Sequence, residues 1–213
     1  MPTRMLTGHN RFNRRVLAAL TVVVVLALVG ASSYAVYIHR IATLLVITAR
    51  EIQTTDDALR QFNIWKGRTG VQSGVDSYDS GRGTNYWVQL SNRGIARLHL
   101  APPSALTLGI SLYDLKLVKV SVEMSTPSAA AVAEEWFKPW ASKRLSLGFI
   151  KSAVPTARLQ FPSSLSDDQK EAAFVFRKRC LLIPSLCTTP DDLLPAIRTL
   201  ESSATPDERN NGG

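Results

Sequence analysis

Histidine is the side chain best suited to moving protons near neutral pH, and only one lies beyond position 39, His99. It alternates with Leu98 and Leu100, so it is expected on the solvent side of a strand, away from any nucleophile. No Gly-x-Ser-x-Gly turn occurs to present a serine to it. Adjacent carboxylates occur at Asp56-Asp57, Glu134-Glu135, Asp167-Asp168 and Asp191-Asp192. A catalytic acid pair has to converge across a cleft, whereas sequence neighbours on a helix point apart. The last two pairs fall in the first turns of expected helices, where negative charge complements the dipole. The first two are expected on exposed helix faces.

The run Asp76-Ser77-Tyr78-Asp79-Ser80-Gly81 has some of the acids of a calcium loop. That loop wants ligands at alternate positions and a bidentate Glu six residues after the glycine; Tyr78 and Trp87 stand at two of those places. Gly81-Arg82-Gly83 has no Lys-Ser/Thr after it and is no phosphate cradle. A metal centre needs more than the two cysteines, Cys180 and Cys187. No catalytic, metal or cofactor set is assigned, and no cofactor is expected. The two cysteines are separated by six residues that include Pro184, close enough to form a small disulfide ring. Among the four tryptophans, Trp136 and Trp140 lie one turn apart around Lys138-Pro139. Core packing is the first reading for them and a partner-binding patch the second.

The elements that would position these groups begin at a membrane. Residues 16–38 carry no charge over 23 positions. At ~1.5 Å per residue they reach ~34 Å, enough for a hydrocarbon core of about 30 Å. Arg4, Arg11, Arg14 and Arg15 precede the run, and the first acid is Glu51. Basic flanks stay in the cytoplasm, so the N-terminus is expected inside the cell (inner) membrane and the bulk of the chain outside. Cleavage as a signal peptide is the alternative: small residues at Val29-Gly30-Ala31 and Ser33-Tyr34-Ala35 fit a processing pattern. The formal charge of +8 falls to +3 beyond residue 40, where 20 basic residues face 17 acids. The basic balance therefore reports topology, and nucleic acid is not an expected partner.

Ile38, Ile41, Leu45, Thr48, Ile52, Thr55, Leu59 and Phe62 recur in steps of three and four, and neither Gly nor Pro interrupts residues 31–66. One helix is expected to continue to Lys66 and to bury this stripe. The stripe's expected contact is the protein's own domain; the alternative is a second copy or another protein meeting it across 41–62. Residues 67–85, rich in Gly and Ser, read as a loop. Strands are expected at 86–91 and 95–100, joined by an Asn92-Arg93-Gly94 turn, then at 106–112, 118–124 and 157–161. Thr126-Pro127 signals a helix start, with Val132, Ala133, Trp136 and Phe137 as its apolar face and Pro139 at its end. Ser166 with Gln169 makes a capping box for a helix to about Cys180 that buries Ala172, Ala173 and Phe176, closing on Arg177-Lys178-Arg179. Thr189-Pro190 opens a last short helix.

The expected class is α+β: a transmembrane helix running on as an amphipathic helix, an antiparallel sheet of four or five strands, and C-terminal helices. The expected segments are 1–15 cytoplasmic, 16–38 transmembrane, 39–66 juxtamembrane helix, 67–201 extracytoplasmic domain and 202–213 disordered tail. A long apolar helix leading to an antiparallel sheet and a C-terminal cysteine ring resembles type IV pilins in layout. That resemblance implies a filament or secretion subunit. Pilins carry a Gly–Phe processing site and an early Glu; here Gly8 precedes His9, and Arg11, Arg14 and Arg15 fall where a pilin is already apolar. By elimination the expected role is a non-enzymatic interaction or envelope-assembly module. The alternatives are the pilin-like subunit and an anchored enzyme with no recognisable motif.

Overall fold

Thr7–Glu51 forms one helix of 45 residues, α1. The computed structural model describes residues 7–137, 144–151, 154–162 and 171–196, with side chains over 16–137 and 171–196. The chain divides into two units, Met1–Tyr37 and Ile38–Gly213. In the first unit the apolar side chains of α1 are open: Leu17, Val23 and Leu26 are 67%, 62% and 65% exposed. Among the described residues this is the one helix long and apolar enough to cross a bilayer. In the second unit Ile38, Ile41, Leu45, Thr48 and Ile52 are buried, as the stripe predicts.

The expected run to Lys66 is broken. A second helix, α2, spans Thr55–Trp65 after Thr54 adopts an extended conformation and its hydroxyl accepts the Asp57 N–H. Thr54 with Asp57 is a helix-start signal that the longer apolar stripe concealed. The new helix shifts the buried face: Ala58, Phe62 and Trp65 go inside and Leu59 is only half-buried. The Trp65 indole donates to the Thr48 hydroxyl at 3.2 Å, which ties α2 back to α1.

The class is α+β, with more strands than expected. Seven antiparallel strands follow one another in chain order. They are β1 Val71–Tyr78, β2 Gly83–Ser91, β3 Ala105–Tyr113, β4 Lys116–Ser125, β5 Ala130–Trp136, β6 Arg144–Lys151 and β7 Val154–Pro162. Alternation puts Leu106, Leu108, Ile110 and Leu112 of β3, with Val120, Val122 and Met124 of β4, on one sealed face. Phe62 of α2 packs edge-on against Tyr86 of β2 at 4.9 Å, and the Thr55 hydroxyl accepts the Leu117 N–H at 3.0 Å. Asp114 and Leu115, both at positive φ, make the two-residue turn between β3 and β4.

Three expectations are corrected. Much of the 67–85 loop is β1 and the start of β2, where Trp87 covers Gly74 and Tyr78 covers Gly83, while Gly67, Gly70 and Gly81 keep the positive φ of turn residues. The 95–100 strand is instead a short helix, α3 Arg93–Arg97, nucleated when Asn92 accepts the Ile95 and Ala96 N–H groups. The helix expected after Thr126-Pro127 is β5, paired with β4 from Lys119↔Trp136 to Ser125↔Ala130. Here sheet pairing overrides a local cap signal; Pro139 lies outside the described residues.

Among the described residues the C-terminal segment is helical at 171–173, ending there rather than near Cys180 as expected, and then holds two short helices, α4 Arg179–Leu182 and α5 Pro190–Leu193. Arg179 therefore opens a helix, where the sequence reading placed it at a helix end. Ala173 and Phe176 are buried and Ala172 is exposed, while Ser166 and Gln169 lie outside the described residues, as does the 202–213 tail. A disulfide joins Cys180 and Cys187. Lys178 donates to the Thr43 hydroxyl at 2.7 Å, and Arg50 pairs with Glu171 at 3.1 Å, fastening this segment to α1.

Leu45 is fully buried and Leu44 is 41% exposed. In a soluble fragment of residues 38–213, Leu45→Ala should cost about 2–5 kcal/mol in urea unfolding. Leu44→Ala should stay within about 0.5 kcal/mol. Equal effects would show that this part of α1 is not core.

Candidate functional site

The face of the sheet opposite the sealed core is open and polar, and strand register fixes its composition, because paired residues share a face. One row across the strands reads Gln72, Gln89, Thr107, Glu123 and Val132; the next reads Gly74, Trp87, Gly109, Ser121 and Glu134. The third reads Asp76, Asn85, Ser111, Lys119 and Trp136. Small residues hold the centre, and aromatic rings and charges flank it.

Glu134 is only 5% exposed, although this face is open. Its two oxygens are separately satisfied: Lys119 Nζ donates to Oε1 at 3.0 Å and Trp136 Nε1 to Oε2 at 3.3 Å. The Lys119 ammonium also lies 5.2 Å from the centre of the Trp136 ring. A buried carboxylate is tolerated on such terms only, since an unpaired one is costly. Glu123, one row away, is pushed up from the usual glutamate range, chiefly by burial and then by the negative charge of Glu134, with Lys119 opposing.

At the far end the face meets a shallow pocket of about 420 Å³. Its floor is the end of the strands at Ser91, Ala105 and Ser125, and Arg93 is the one charged residue lining it among the described residues. Its wall is rigid. Asn92, 1% exposed, donates from Nδ2 to Pro102 O and accepts the Ser104 N–H, each at 2.9 Å. The Ser104 hydroxyl donates to Leu181 O at 2.9 Å and that of Thr126 to Cys187 O at 3.3 Å. The cysteine ring thus braces the pocket from behind, with both sulfurs buried.

His99 is exposed at positive φ in the loop after α3, not on a strand. Asp76 accepts the Trp87 indole N–H at 2.9 Å, and Asp79 accepts the Tyr113 hydroxyl, whose pKa rises in consequence. Glu134-Glu135, expected on an exposed helix face, is a buried pair on β5, split between the two faces of the sheet. Trp136 is half-buried and engaged with Glu134 and Lys119; Trp140 lies outside the described residues. The alternation of 118–124 already set Lys119 and Glu123 on one side. What sequence reasoning missed is their neighbour Glu134, because β5 read as a helix. No group of metal-ligating residues occurs among those described. Comparison with known protein families, characterised proteins and solved structures finds no match to the chain.

For Glu123 the folded pKa lies above the unfolded one, so its stabilising contribution is complete below the ordinary value of 4.5 and is lost as pH rises through the folded value. Glu123→Gln should therefore raise the melting temperature relative to wild type near pH 7 and lose that advantage at about pH 4. An advantage independent of pH would contradict the assignment.

Proposed function

We propose that this is a single-pass protein of the cell (inner) membrane, with its N-terminus in the cytoplasm and an interaction or envelope-assembly domain outside. The observation that carries the reading is α1 itself. Its apolar side chains are exposed over residues 16–31, and from Ile38 to Ala49 a stripe of them is buried in the domain. The segments proposed are 1–15 inside, 16–38 spanning, 39–66 juxtamembrane and 67–201 outside, ahead of the 202–213 tail. Four arginines before the span support this direction, and the disulfide suits an oxidising compartment.

A non-enzymatic role fits the open face. Its carboxylate with the tightest partners, Glu134, is held by Lys119 and Trp136, and His99 stands in an exposed loop. The polar face and its end pocket are the proposed contact surface for a partner. A pilin-like subunit is the second reading, favoured by an α1 that enters the core of a sheet domain with a cysteine ring near its end.

The protein should remain in the membrane pellet after carbonate extraction, and protease added to spheroplasts should digest the domain. A mature N-terminus at Ser32 or Val36 with soluble protein would overturn the anchor. A domain protected until the cells are lysed would overturn the sidedness, and a processed N-terminus with polymerisation would favour the pilin reading.

The ring closed by Cys180 and Cys187 spans a sequence separation of 7. Intact mass without reductant should be two hydrogens below the reduced mass. Replacing both cysteines by Ser should cost about 2–3 kcal/mol. Two freely alkylated thiols would contradict the bridge.

A further inference from the structure

We propose that the open face of the sheet is a platform for a flat, linear, β-linked glycan; the proposal rests on the reading of this domain as a binding module outside the cytoplasm. Three observations carry it. First, two aromatic rings lie down on this face. Trp87 takes the space that a Cβ at Gly74 would need, and Tyr78 does the same at Gly83. Each is pinned by its polar tip, Trp87 Nε1 to Asp76 at 2.9 Å and Tyr78 Oη to Leu112 O at 3.3 Å. A pinned ring lying across a strand presents its other face outward, as an apolar plate set in a polar surface.

Second, hydrogen-bonding groups beside the plates are unspent. The Asn85 amide and the Ser111 hydroxyl, neighbours across β2 and β3, have no side-chain partner among the described residues. Gln89 donates its amide N–H to Thr107 and keeps its carbonyl oxygen open. Third, the strip between the plates is polar: Trp87 and Gly83 stand four residues apart on β2, and the row between them holds Asp76, Asn85 and Ser111.

Stacked plates with free amide and hydroxyl groups between them match a sugar ring, which is apolar on its faces and hydroxylated around its rim. Four residues along a strand span about 13 Å, roughly two to three sugar units, so a glycan running along β2 would reach both plates. A proline-rich peptide would also use aromatic plates. It needs apolar grooves between them, however, and here the row between them holds Asp76, Asn85 and Ser111.

The test uses the purified full-length chain in a sugar-free detergent, titrated with cellohexaose and with chitohexaose and followed by tryptophan fluorescence. Saturable binding of either oligosaccharide is expected. Trp87→Ala should abolish it, and Asn85→Ala should weaken it about fivefold with the melting temperature unchanged. If Trp87→Ala does not fold, the Asn85→Ala comparison decides alone. Failure of both oligosaccharides to bind, wild-type affinity in Asn85→Ala, or binding of decaproline in their place would each overturn the proposal. The titration does not depend on sidedness. A domain found in the cytoplasm would fail the protease assay and leave the sugar result standing, and absent sugar binding would leave the sidedness result standing.

Discussion

A helix crossing hydrocarbon must satisfy all its backbone groups internally and show apolar side chains on every side. A helix packed in a domain needs an apolar stripe on one side only. Helix α1 meets both demands in one unbroken run, Thr7–Glu51. The change comes at residue 38, where burial begins to follow a helical period: Ile38, Ile41, Ala42, Leu45, Val46 and Ala49 go inside while His39, Arg40, Leu44 and Ile47 stay out. Residues 38–52 are core, so the domain's own packing includes the continuation of the long apolar helix.

The polar contacts of that core follow from the same arrangement. Thr48 is a poor residue for a buried stripe unless its hydroxyl is used, and the Trp65 indole uses it. The break at residues 52–54 lets α2 fold back far enough for that bond to form and for Phe62 to reach Tyr86 of β2. With one face of the sheet sealed, polar side chains collect on the other, as an antiparallel sheet permits. There Lys119, Glu134 and Trp136 satisfy one another. Trp87 and Tyr78 fill the gaps above glycines that would otherwise weaken the edge hairpin.

Elements whose local pattern agrees with their tertiary role were legible in the sequence. Strands β3 and β4 alternate cleanly, the α1 stripe keeps its period, and Thr189 caps α5 with Asp192 as its local sequence indicates. The failures share one cause, a local signal outweighed by a distant partner. Strand β1 looks like a loop because Gly74 and its serines are turn formers; its strand character comes from β2, whose Trp87 covers Gly74. Strand β5 looks like a helix because Thr126-Pro127 is a good start and Val132, Ala133, Trp136 and Phe137 suit either period. Asn92-Arg93-Gly94 resembles a hairpin turn, yet the Asn92 side chain is spent on Pro102 and Ser104. The open face was half visible, since Lys119 and Glu123 alternate with the core of β4. Its other half depended on β5, and no property of Glu134 in the sequence marks it as buried.

The central claim, that one helix is at once membrane anchor and domain core, is tested most directly by hydrogen exchange on the full-length protein in lipid nanodiscs. Amides of residues 38–51 should exchange as slowly as those of β3 and β4. On adding denaturant, they should become exposed in the same cooperative step, at the free energy of global unfolding. Exchange of residues 38–51 at a lower free energy, while β3 and β4 stay protected, would show that this part of α1 is a separable linker and not the core of the domain.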